Sequence, residues 1–168
     1  QGNGAESDCI DCAVGMYSTM TGSVTEADCI ECIAGRYLPF EGRDVETACI
    51  PCGVGKYSTV VGSFSQSNCT DCVAGRYAES DGNDGEVDCL LCGAGKYSAI
   101  EGSSSSDDCA DCVAGKYAET QGNGAESDCI DCAAGTYAPL AGTGLEADCI
   151  RCAPGTYSAI VASTDAHD

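Results

Sequence analysis

Asp108-Cys109-Ala110-Asp111-Cys112-Val113-Ala114-Gly115-Lys116-Tyr117 is the stretch that decides the fold, because it or a close variant occurs eight times in 168 residues. The other copies surround Cys9, Cys29, Cys49, Cys69, Cys89, Cys129 and Cys149, always twenty residues apart and without insertion or deletion. A strict period of this length is the mark of one small unit stacked many times, not of a globular domain. Residues 1–160 divide into eight repeats (1–20, 21–40, 41–60, 61–80, 81–100, 101–120, 121–140 and 141–160), and residues 161–168 open a ninth.

Gly is the second residue of every repeat and recurs in a second column at 15, 35, 55, 75, 95, 115, 135 and 155. Two glycine columns at fixed phase predict two backbone positions that need positive φ or close chain approach, hence two turns per unit. Ala162 stands where the ninth unit should have Gly. The Tyr-Ser-x-x or Tyr-Ala-x-x segment between the columns is long enough for one short strand. Glycine this frequent leaves no capped run of ten residues for a helix. A second period of forty lies on the first: Cys49–Asp88 and Cys89–Asp128 agree at 23 of 40 positions. A longer duplication also shows, since residues 1–13 are identical to 121–133.

Composition sets the terms of stability. With 22 Gly, no Trp and only 2 Phe there is no recipe for one large apolar core, and the 16 Cys must supply what burial cannot. A twenty-residue repeat of this kind should not fold alone; neighbours and covalent staples complete it. The net charge of -20 repels a polyanion, which sets nucleic acid aside. No apolar run is long enough for a membrane span, and no basic-then-apolar start resembles a signal peptide. Position 1 is Gln with the repeat already under way, so the sequence reads as a window on a longer precursor.

The spacing Cys9-x2-Cys12-x16-Cys29-x2-Cys32 fits the general four-cysteine zinc pattern. Four dianionic zinc–thiolate centres would add to a chain that is already strongly anionic, and zinc would pair repeats two by two where the pattern is uniform. A redox reading of each pair lacks the helix N-terminus or basic neighbours that lower a thiol pKa. We read the cysteines as structural disulfides, with zinc and redox chemistry as the alternatives. The favoured connectivity joins the second Cys of one pair to the first of the next: Cys12–Cys29, Cys32–Cys49, Cys52–Cys69, Cys72–Cys89, Cys92–Cys109, Cys112–Cys129 and Cys132–Cys149. Cys9 and Cys152 would then pair outside the window. Disulfides at this density imply an oxidising setting, extracellular or at a cell surface.

At Cys-x-x-Cys-x-x-Gly-x-Tyr the sequence resembles the ephrin-receptor-like cysteine-rich repeat, a family found in tandem in extracellular proteins of animals and, in long arrays, of protists and algae. The resemblance covers almost the whole chain. The loop from Cys112 through Tyr117 to Cys129 is similar to the first disulfide loop of tumour necrosis factor receptor modules, and this similarity implies the Cys112–Cys129 bond. Those receptors interleave further cysteines that are missing here, so their ligand surface does not carry over. The fold class expected is small, disulfide-rich and mainly β or irregular: an elongated, solenoid-like rod of twenty-residue repeats with short strands and no helices.

Each remaining column has a sharp and a bland reading. Tyr, once per unit from Tyr17 to Tyr157, is read as core that packs on a disulfide and covers the next repeat, in preference to a ladder of rings for a ligand. The carboxylates Glu6, Asp8 and Asp11 recur as Glu26, Asp28 and Glu31 and as Glu126, Asp128 and Asp131. We read them as a solvated acidic face, with calcium between rungs as the alternative; the Asp81–Glu86 loop resembles a calcium loop only loosely. No other cofactor is implied. Arg36, Lys56, Arg76, Lys96 and Lys116 share a column before Tyr and are expected to meet acidic neighbours. Asn68-Cys69-Thr70 is the one Asn-x-Ser/Thr sequon, and Ser18-Thr19, Ser58-Thr59 and Ser103–Ser106 suit O-linked sugars.

Catalysis has little to stand on, since the lone His167 lies in the terminal stub and the carboxylates are spread evenly. The chain is therefore expected not to be an enzyme. The expected function is structural: a segment of an extracellular filament, surface fibre or stalk, stapled by disulfides and glycosylated. Its partners would be copies of itself or neighbouring repeats in an array, and glycans. The alternative is a receptor or adhesion ectodomain that binds a protein or carbohydrate ligand.

Overall fold

The computed structural model of the chain describes residues 9–166; Glu6, Asp8 and His167 lie outside the described residues. Among those described there is no α-helix. A full repeat is built from two-residue strands, turns at its two positive-φ glycines, as expected, and a single three-residue 3-10 turn.

The first full unit shows how the sequence produces this. Ala13 O accepts from Met16 N at 3.1 Å, and Gly15 has φ 82°, so the turn places glycine where a type II turn demands positive φ. It launches β1 (Met16–Tyr17), which pairs antiparallel with β2 (Ile30–Glu31), Met16 opposite Glu31 and Tyr17 opposite Ile30. Between them the chain makes the 3-10 turn Glu26–Asp28, closed where Cys29 N donates to Glu26 O at 3.0 Å. The pattern recurs as β3 (Arg36–Tyr37) with β4 (Ile50–Pro51), β7 (Arg76–Tyr77) with β8 (Leu90–Leu91), β9 (Lys96–Tyr97) with β10 (Ala110–Asp111), β11 (Lys116–Tyr117) with β12 (Ile130–Asp131), and β13 (Thr136–Tyr137) with β14 (Ile150–Arg151). Strands β5 (Lys56–Tyr57) and β6 (Thr70–Asp71) occupy the same places in their repeat. The expected strand after Tyr is thus corrected. The strand ends at Tyr, and a second one follows the first Cys of each pair.

Packing divides the chain into two compact units. One takes in the chain up to Thr70 together with Ser80–Asp88; the other takes in Asp71–Glu79 together with the chain from Cys89 onward.

In the first unit, disulfides join Cys12–Cys29, Cys32–Cys49 and Cys52–Cys69. Tyr17 packs with Cys32, Leu38 and Cys49, so the ring of one repeat lies against the disulfide of the next. Beyond the hairpin partner thirteen residues on, each Tyr finds another neighbour by a parallel bridge: Tyr17 to Arg43, Tyr37 to Ser63 and Tyr57 to Asn83. The approach is close enough that a Cβ on Gly15 or Gly35 would collide with the carbonyl oxygen of Gly62 or Gly82.

The second unit repeats this arrangement with Cys72–Cys89, Cys92–Cys109, Cys112–Cys129 and Cys132–Cys149. All seven bonds hold their Cα atoms 5.6–5.8 Å apart, inside the usual range for a disulfide. Tyr97 packs against Cys112, Ala118 and Cys129, and Tyr117 against Cys132, Ala138 and Cys149. Small residues such as Ala118 leave the disulfide itself to fill the core. Cys9 and Cys152 are unpaired among the described residues.

Candidate functional site

A site in a repeat protein is found by first learning what each column does, and then asking where a column fails. The acidic column at Asp28, Asp88, Asp108 and Asp128 does a local job. Each carboxylate accepts from two backbone N–H groups three and four residues earlier, as Asp108 Oδ2 does from Ser104 N at 2.9 Å and Ser105 N at 3.1 Å. These are helix-cap bonds on a 3-10 turn, so this part of the comb is a structural device and not only a solvated face. The Asp81–Glu86 loop is used up in the same way. Asp84 N and Gly85 N donate to Asp88, while Asn83 is buried with its amide on Lys56 O and Ser80 O.

Asn83 belongs to a second column. Ser63, Asn83, Ser103, Asn123 and Thr143 each turn the side chain back onto the carbonyl three residues earlier, at 2.7–3.0 Å. The two asparagines do most: Asn123 Nδ2 donates to Thr120 O and to Lys96 O and its Oδ1 accepts from Thr120 Oγ1 at 2.6 Å, and Asn83 makes the same three bonds with Ser80 and Lys56. Ser103 and Ser58 are buried, which removes them from the surface expected to carry O-linked sugars and leaves Thr59, Ser104 and Ser106 exposed.

The basic column splits according to what faces it. Lys96 Nζ meets Asp111 at 2.6 Å and Lys116 Nζ meets Asp131 at 2.9 Å across their strand pairs. The hydrogen bond it donates to Asp131 holds the Lys116 ammonium above its ordinary pKa. Where the facing residue is Pro51 or Leu91, Arg replaces Lys and reaches further, donating to Cys49 O at 2.9 Å or Cys89 O at 3.2 Å. The expectation of acidic partners is therefore corrected for Arg36 and Arg76, which have no carboxylate opposite them.

The columns fail together at one place in the first unit. In Leu38-Pro39-Phe40-Glu41-Gly42-Arg43, the usual Ser or Ala is Leu38, which is buried, and the usual Ser, Asn or Thr is Arg43, which is exposed. Arginine cannot make the short return bond. Its guanidinium instead lies over the ring of Phe40, 4.9 Å from the centroid, and has no ion-pair partner among the described residues. The chain's other phenylalanine belongs to the same neighbourhood. Leu38 N donates to Ser63 O at 2.9 Å and Tyr37 bridges Ser63 in parallel, which brings residue 64 alongside residues 38–39. Phe40 and Phe64 are 52% and 56% exposed. Sequence reading missed this patch; comparing columns 18 and 3 of each repeat singles out Leu38 and Arg43, but Phe64 joins them only through the parallel pairing.

A smaller departure lies in the second unit. Thr136 and Arg151 stand where Lys and Asp face each other in β11 and β12, beside a shallow cleft of about 500 Å³ that Glu119 and Glu146 also line. Tyr117 is close by, its phenol pKa raised first by desolvation and then by repulsion from Glu146 and Glu119.

Fourteen cysteines are held in disulfides, so the zinc and redox readings have no free thiolate in those seven bonds. No group of three or more His, Cys, Asp or Glu residues able to hold a metal ion occurs among the described residues. No helix among them is long and apolar enough to cross a membrane.

Comparison with known families agrees with the repeat geometry. The family model described as tyrosine-protein kinase ephrin type A/B receptor-like matches residues 24–69, 62–109 and 115–168. No curated protein matches the chain.

Proposed function

The chain belongs to the ephrin-receptor-like family of cysteine-rich repeats, and on that premise we propose that it is part of an extracellular receptor or adhesion ectodomain that binds a protein ligand through Phe40, Arg43 and Phe64. The matched family is of the receptor type and not a family of enzymes. Seven disulfides fit an oxidising, extracellular compartment.

The observation that carries the reading is the Arg43 guanidinium above the exposed Phe40 ring. Aromatic and arginine side chains are the residues enriched at the energetic centres of protein interfaces. In a chain of net charge -20, an Arg with no carboxylate partner among the described residues is a local point of attraction for an acidic side chain. Stacking on Phe40 prepositions it and lowers the ordering cost of binding.

The test is adhesion of beads coated with the folded protein to cell surfaces. Wild-type beads should bind, with attachment lost in the Phe40→Ala/Arg43→Ala double variant and after protease treatment of the cells. Loss after glycosidase treatment in place of protease would reassign the ligand to carbohydrate. Equal behaviour of wild type and variant would end the proposal.

A structural role in a filament, fibre or stalk is the second reading. It is favoured by the recurrence of the same backbone bonds in repeat after repeat, Cys32 N to Gly15 O returning at 2.8 Å as Cys52 N to Gly35 O and as Cys132 N to Gly115 O. Cys9 and Cys152 would then bond to cysteines beyond the described chain. Regular fibres in electron micrographs of native material would support this role.

A further inference from the structure

We propose that Asn68 carries an N-linked oligosaccharide. The inference is independent of the ligand-binding reading, and it starts from a sequence fact: Asn68-Cys69-Thr70 has the acceptor pattern with no Pro in the middle. Sequence alone makes the site permissive; the structure explains why asparagine is free to serve there.

Asn68 is the third residue of the 3-10 turn Gln66–Asn68, the place taken by Asp28, Asp88, Asp108 and Asp128 in other repeats. Those aspartates are occupied with two backbone N–H groups each. The Asn68 side chain makes no such bonds. Cys69 N closes the turn on Gln66 O at 3.0 Å, and Ser65 Oγ accepts from Ser67 N at 3.2 Å, as Ser105 Oγ does from Asp107 N beside an engaged Asp108. Asn68 lacks the two backbone partners that Asp108 holds, and its amide is left unengaged.

That amide also reaches solvent. No side-chain nitrogen or oxygen among the described residues is both buried and without a hydrogen-bond partner, so a partnerless Asn68 amide cannot be buried. Thr70, whose hydroxyl completes the acceptor pattern, is exposed on β6. Cys69 between them is bonded to Cys52 and only 8% exposed, so the sequon is tethered to the core, with Asn68 half-buried and Thr70 exposed on either side.

The transfer balances with a lipid-linked oligosaccharide as donor. The Asn68 amide nitrogen forms a bond to C1 of the reducing-end sugar, the bond from C1 to the lipid diphosphate breaks, the lipid diphosphate leaves with the electron pair, and the nitrogen gives up one proton. Nothing is oxidised or reduced.

The experiment is site-resolved mass spectrometry of the chain secreted from a eukaryotic cell line. The peptide containing Asn68 should carry hexose and N-acetylhexosamine mass, and enzymatic release of the glycan in heavy-oxygen water should leave labelled Asp at 68. Thr70→Ser should keep the modification and Thr70→Ala should lose it. Asn68→Asp should be secreted folded and unmodified, since Asp is the ordinary occupant of that column. An unmodified Asn68 peptide from folded, secreted wild-type protein overturns the proposal, and so does equal sugar mass on the Thr70→Ala variant.

Discussion

Arg43 lies over the ring of the residue three places before it, Phe40, in the position from which Ser63, Asn83, Ser103, Asn123 and Thr143 hydrogen-bond a carbonyl. The i to i−3 relationship is kept while its chemistry changes from closing a turn to displaying a cation on an aromatic face. The substitution Arg43→Ser separates these two roles. It restores the column's ordinary bond and should leave stability unchanged or raise it by about 0.5–1 kcal/mol in thermal unfolding. It should abolish bead adhesion all the same.

Gly115 and Ala162 make the tightest demand on backbone conformation. A Cβ on Gly115 would collide with the Ala162 carbonyl, and Ala162 itself sits at φ 55°, where every neighbouring repeat has glycine. Left-handed backbone costs a residue with a Cβ roughly 1–2 kcal/mol. Ala162→Gly should therefore raise stability by about 1 kcal/mol. Gly135→Ala should cost only that conformational term, because nothing lies within 4 Å of its added Cβ. Gly115→Ala should cost about 2 kcal/mol more through the collision. Denaturant midpoints of the three variants check the order.

Asn123→Ala should destabilise by roughly 2–3 kcal/mol, since it strips the carbonyls of Lys96 and Thr120 of their shared donor in a buried place. Asn123→Ser should recover part of the loss, as Ser is the native choice at 63 and 103. By contrast, Asp111→Asn at the exposed Lys96 pair should change stability by no more than about 1 kcal/mol. Chemical denaturation of the three variants distinguishes them.

Tyr117 should ionise later than tyrosine in the unfolded chain. A phenol whose folded pKa is raised favours the neutral form, so the stability it contributes is complete below the ordinary tyrosine value near 10 and is lost as pH climbs through the raised value. Glu119→Gln and Glu146→Gln should each bring the titration back toward the ordinary value. Nuclear magnetic resonance of ring-labelled tyrosine follows the residue individually.

The repeat period and both glycine columns were legible because few residues tolerate positive φ, and the turn at Gly15 has one chemical solution. The core role of tyrosine was legible for a similar reason, as a half-buried ring needs something to cover, and it fails only at Tyr157, which is 89% exposed. What sequence did not reveal was which strand lies beside which. The bridges from Tyr17 to Arg43 and from Tyr37 to Ser63 join residues twenty-six apart, and no local propensity encodes that offset. Without the offset, Phe40 and Phe64 read as scattered apolar residues. The capping role of Asp108 was hidden because Asp before Cys in an acidic chain looks like surface charge until its two N–H partners are seen.

Each repeat is coupled covalently to its neighbour, the second cysteine of one pair to the first of the next. Peptide mapping of the unreduced protein reads this coupling bond by bond. Cross-linked peptides should join Cys12 to Cys29, Cys92 to Cys109 and Cys112 to Cys129, with the remaining bonds in the same order. A bond inside any Cys-x-x-Cys pair, such as Cys109 to Cys112, would contradict it.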